Sequence, residues 1–160
     1  MTLAYHYSHH EANFGLPLKK QVKGGMHVVL EIVLQHKDSF IALRRPGIPG
    51  HEPLPEALFF CHDLPQYGES LDIAAKRIVV AQCGSKVKST KVVTAESFLD
   101  KKEGQWVIIL YIVAQVEQLP KPGVFGNKVS AVKVFGAGSV PDGFAWWSRK
   151  DVKDFLVGLS

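Results

Sequence analysis

The sequence predicts an α+β (α/β) sandwich: a mixed β-sheet with one central helix and one C-terminal helix. Three observations lead there. Apolar runs of strand length recur on both sides of a single helical pattern. That pattern sits between a capping Ser70 and a stopping Gly84. A second helix-start pair, Ser148 with Asp151, stands just before "VKDFLVGL". A chain of 160 residues, 46% hydrophobic and 21% charged, suits one domain, with residues 26–160 as the folded unit and 1–25 as an N-terminal arm.

The arm carries His6, His9 and His10, and "LPLKKQVKGG" leads to a hinge at Gly24 and Gly25. The histidines alternate with tyrosine and lack helical spacing, so they read as solvated rather than metal-binding. From Met26, "MHVVLEIVLQ", the polar break "HKDS" and "FIALRRP" read as two strands joined by a turn. Val28, Leu30, Ile32 and Leu34 alternate with partly apolar neighbours, which predicts a strand covered on both faces. A loop, "PGIPGHEPLPE", and the short run "ALFF" follow.

The central helix is predicted from about Leu71 to Cys83, where Leu71, Ala74, Ala75 and Ile78 recur at helical spacing. Gly84 ends it because glycine enters the left-handed conformation without a Cβ clash. Three more strand candidates come next, "KVVTAESFL", "QWVIILYIVAQV" and "KVSAVKVF", and then the terminal helix. No internal repeat is present.

Several function classes are disfavoured. The longest apolar run, residues 106–116, is about half of the ~20 residues a membrane-spanning helix needs, and it reads as a buried strand. The first residues lack the basic start and continuous apolar centre of a signal peptide, so the expected location is cytoplasmic. Cys61 and Cys83 lack C-x-x-C spacing and read as two reduced thiols. The net charge of +4 comes from scattered basic pairs, which favours an anionic ligand, and no nucleic-acid motif accompanies it.

The stretch "GESLDIAAKRIVVAQCG" carries the chemistry. With the paired strands ending "LRRP" and the late "WWSRKDVKDFL", it resembles the Nudix family of nucleoside-diphosphate-linked hydrolases over most of residues 26–158. The family box reads G-x5-E-x7-R-E-U-x-E-E-x-G-U, with U a bulky aliphatic. Glu69, Arg77, Val79 and Gly84 match it, four of nine fixed positions. The opening Gly falls on Asp63, the three later Glu positions on Ile78, Ala81 and Gln82, and the last aliphatic on Ser85.

These departures are chemically selective. Carboxylates at 78, 81 and 82 would share one helix face and could hold magnesium or manganese against a diphosphate. Isoleucine, alanine and a neutral amide cannot, so no metal is expected at the usual site. The resemblance gives Glu69 and Arg77 the role of bracing the loop and helix by pairing, and both are present. Removing like charges at i,i+4 relieves repulsion, and burying Ile78 would add roughly 1.5–3 kcal/mol. The residues leave open whether that face is exposed, packed or used for binding.

The resemblance implies a Nudix-fold protein without ordinary metal-dependent hydrolysis, binding a nucleotide, another phosphorylated small molecule or a partner. Arg44, Arg45, His62, Glu69 and Arg77 are its ligand-binding candidates. One alternative is an active hydrolase using Mg or Mn at a relocated site among His51, Glu52, Glu56, Cys61, His62 and Asp63. Against it, no spacing there matches a metal motif, and adjacent His62 and Asp63 diverge if extended. Asp63 and Glu69 are the weak catalytic candidates, with Asp72 also on the first helical turn, where acidic residues are favoured by the dipole. Another alternative is an oligomerisation module, a homodimer through the apolar helix face or the strand edges. Phe59, Phe60, Trp146 and Trp147 could stack on a base, but they read mainly as core.

Overall fold

The computed structural model describes residues 25–46, 54, 56–123 and 128–159. The N-terminal arm, His51 and Glu52 lie outside the described residues. Among the described residues, six strands form one mixed sheet: β1 (Met26–His36), β2 (Ser39–Arg44), β3 (Cys61–Asp63), β4 (Val87–Asp100), β5 (Gln105–Val116) and β6 (Ala131–Phe135). Helix α1 (Leu71–Cys83) and helix α2 (Arg149–Val157) complete the fold. The strand order is β4-β5-β1-β2-β6, with β3 also paired to β1.

β1 is the hub. One edge runs parallel to β5 from Met26–Trp106 to Gln35–Gln115. The other edge is shared: β2 takes the end beyond Leu34, and β3 takes Leu30 to Ile32, both antiparallel. Alternation then divides β1 between two cores. Leu30, Ile32 and Leu34 meet Ala74, Ala75, Ile78 and Val79 of α1. Val33 faces the other way, with Phe40, Ala42 and Phe60, toward Val152 and Leu156 of α2. The sheet is thus covered on both faces, as its near-continuous apolar run predicts.

Helix α1 has the predicted limits. Ser70 Oγ accepts a hydrogen bond from Ile73 N at 3.3 Å, and Gly84 takes a left-handed φ of 71° while its N–H donates to Val80 O. Ser148 Oγ likewise accepts from Asp151 N at 3.1 Å, closing the capping box that begins α2. Two details differ from the sequence reading, and a third settles a point it leaves open. "CHD" is a strand rather than part of a loop, because its backbone finds β1. Trp146 is 55% exposed and not core, although Phe59 and Phe60 are buried as expected. Ile78, whose surroundings the sequence leaves open, is wholly buried against the sheet and so is itself out of a partner's reach. Among the described residues no helix is long and apolar enough to cross a membrane.

Candidate functional site

The box residues run from the loop before α1 to its last turn, which passes β3. Glu69 and Arg77 are committed to each other. Arg77 Nε donates to Glu69 Oε1 at 2.8 Å and Nη2 to Oε2 at 2.9 Å, a two-pronged pair, while Nη2 also donates to Leu64 O at 3.0 Å. Gln66 N donates to Glu69 Oε2 at 2.8 Å. The Arg77 bond and the Gln66 N–H hold the Glu69 carboxyl down to about 2. The pair ties the loop before α1 to its middle, the bracing role that the resemblance implies.

At the three positions where the family box has metal ligands, two side chains are otherwise employed and the third has no ligand atom. Ile78 fills the core, and Ala81 is exposed with no ligand atom. Gln82 is buried, accepts from His62 N at 3.2 Å and donates to His62 O at 2.7 Å. A carboxamide can satisfy a backbone N–H and C=O together because it holds both a donor and an acceptor. These side chains do not fit a divalent cation, which needs several oxygen ligands. Among the described residues no three His, Cys, Asp or Glu side chains converge on a metal position.

The relocated alternative fares no better among the described residues. Cys61 faces the core with Cys83, and both thiols are free. A hydrogen bond with Cys83 and burial push the Cys61 thiol well up. Glu56 pairs with Arg44, at 3.2 Å to Nη1, and Arg44 Nε donates to Glu56 O at 3.0 Å. Asp63 is exposed and caps Leu64 N at 2.7 Å. Asp72 is held by Lys76 at 2.7 Å and by Thr90 at 2.8 Å.

The two adjacent arginines at the end of β2 differ because alternation sends them to opposite faces. Arg44 is ion-paired. Arg45 is only 7% exposed, and its Nε is buried without a hydrogen-bond partner. Burial pulls its proton affinity down, while Cys61, Cys83 and Asp63 on the α1 side of the sheet favour its charge.

A row of polar side chains lies on the opposite, α2-side face, where the candidate His62 is joined by Glu31 and Tyr111, which the sequence reading did not name. Cross-strand pairing aligns His62 of β3, Glu31 of β1 and Tyr111 of β5. All three line a cavity of about 690 Å³. Glu31 is 6% exposed, its Oε1 has no hydrogen-bond partner, and burial raises its carboxyl to about 8. Burial also lowers the affinity of His62 for a proton, and His62 Nδ1 lies 3.1 Å from Phe60 O. Tyr111 donates to Glu96 of β4, and burial with that contact raises its phenol. The signal for Glu31 was present in "VVLEIVL": a lone acidic residue inside a strand covered on both faces has to be buried.

No family model matches the sequence, and no curated protein matches it. Solved structures do match the fold. A MutT Nudix hydrolase from Burkholderia pseudomallei superposes with a TM-score of 0.61 at 12% identity, covering 80% of this chain and 96% of the other. A Nudix hydrolase from Nitrosomonas europaea gives 0.58 at 13% identity, covering 82% and 70%. A variant of the Bacillus subtilis pyrophosphohydrolase BsRppH gives 0.56 at 13% identity, covering 82% and 77%. The chain has the Nudix fold, and at this identity the likeness extends to the fold alone.

Proposed function

We propose that this Nudix-fold protein is a cytoplasmic binding module for a nucleotide or another phosphorylated small molecule, without metal-dependent hydrolysis of a diphosphate. The observation that carries the reading is the fate of positions 78, 81 and 82. Ile78 is core, Ala81 has no ligand atom and Gln82 spends both ends of its amide on the His62 backbone. The scaffold pair Glu69–Arg77 is kept while the metal ligands are replaced.

Arg45 is the side chain best suited to a phosphate, since a buried guanidinium with an unsatisfied N–H gains most from an anion that pairs with it. Arg44, Glu69 and Arg77 support the fold around that position through the ion pairs they already make. The test is calorimetry with a panel of nucleoside diphosphate derivatives, beside an assay of their hydrolysis with magnesium and manganese. Binding without turnover, weakened by Arg45→Ala, is the expected result. Robust metal-dependent turnover would sink the reading.

A further inference from the structure

The cavity under α2 has a character unlike that of the protein around it. The chain carries a net charge of +4, yet no lysine or arginine lines this cavity among the described residues. Three carboxyl groups do: Glu31 on β1, Glu96 on β4 and Asp151 on α2. Its walls are aromatic, with Tyr111, Trp146, Trp147 and Phe155 on it. Trp147 stands edge-on to Tyr111 and to Phe155, at centroid distances of 5.4 and 5.6 Å, so the rings form one connected wall.

Ring faces carry negative potential and attract cations, most strongly where water is excluded. Glu31 lines the cavity while it is 6% exposed and has a carboxyl oxygen without a hydrogen-bond partner, so its carboxyl adds a second attraction for a cation. An anion would meet three carboxyl groups and no lysine or arginine among the described residues.

We propose that this cavity binds an organic cation, an ammonium or protonated amine on a small apolar body, held against the Tyr111, Trp146 and Trp147 rings with Glu31 as its counter-ion. This inference stands apart from the phosphate reading, because it rests on the opposite face of the sheet. The proton balance is explicit. Glu31 keeps its proton near neutrality through burial, and an arriving cation favours the carboxylate, so complex formation releases that proton to solvent. The other titratable groups facing it are His62, kept neutral by burial, Tyr111, and beyond Tyr111 Glu96, with Asp151 across the cavity.

The full chain is titrated at pH 7 with choline and with its neutral carbon isostere dimethylbutanol, by calorimetry in two buffers of different ionisation enthalpy. Choline is expected to bind about tenfold tighter than the isostere and to release close to one proton per molecule bound. Glu31→Gln keeps the size and shape of the side chain and is expected to bind choline more weakly with no proton release. Trp147→Leu is expected to weaken choline while Glu31 still releases its proton. Equal affinity for choline and isostere, or choline binding without proton release in the unsubstituted protein, overturns the proposal. The panel of nucleoside diphosphate derivatives is titrated separately: choline binding with no binding of any member of that panel removes the phosphate reading and leaves this one standing.

Discussion

The Gln82 carboxamide is bonded in both directions to the backbone of His62, Oε1 to the N–H at 3.2 Å and Nε2 to the carbonyl at 2.7 Å. One side chain therefore fastens the last turn of α1 to β3. Gln82→Glu keeps the acceptor, loses the donor and sets a carboxylate against the His62 carbonyl oxygen. It should cost about 1–3 kcal/mol, read from urea unfolding at neutral pH. A Gln82→Glu variant as stable as the parent would mean that the fastening is unimportant.

Replacing Ile78 tests whether this helix can be given a metal site. Ile78→Ala should cost about 2–5 kcal/mol by opening a cavity in a fully buried position. Ile78→Glu should cost more, since it buries a charge without a partner. The triple change Ile78→Glu, Ala81→Glu and Gln82→Glu is therefore expected to yield little soluble protein and no magnesium-dependent turnover. A folded, metal-binding triple variant would contradict the packing described.

The Glu69–Arg77 pair sets an acid limb. Glu69 has a folded value of about 2 against an ordinary 4.5, so its contribution to stability is complete above pH 4.5 and is lost as pH falls toward 2. Thermal midpoints of Glu69→Gln should lie below those of the parent by a constant margin from pH 5 to 8. The margin should close progressively below pH 4.5.

Glu31 acts in the opposite sense. Its folded value of about 8 exceeds the ordinary 4.5, so between those pH values the unfolded chain gives up a proton that the folded chain retains. Stability falls as pH rises through that window, by on the order of 5 kcal/mol in all, and the penalty is complete above pH 8. Glu31→Gln should therefore raise the denaturation midpoint at pH 8 and leave it nearly unchanged at pH 4. Equal shifts of the midpoint at both pH values in the Glu31→Gln variant would refute the assignment.

Helix α1 was readable to the residue because its ends are local. Ser70 and Gly84 act within one turn of the positions they cap. The exchanged box positions were equally readable, since spacing along a helix fixes which side chains share a face. The roles of Ile78 and Gln82 were not, because each depends on a partner remote in sequence: the sheet for one and His62 for the other. "CHD" looks like loop in sequence because three residues carry no periodicity, and its strand character comes from β1 alone. Arg44 and Arg45 look alike in sequence and differ only by the face to which the strand turns them.

The placement of β1 also governs the order in which the molecule can assemble. Its turn partner β2 follows at once, but Gln35 meets Gln115 across 80 residues of chain. During synthesis, one whole edge of this apolar strand has to wait for β5 before it is sealed. Contacts of such long range slow folding, and an unsealed edge is a template for pairing with other chains. A nascent chain halted before residue 105 should therefore stay soluble only while another factor covers that edge.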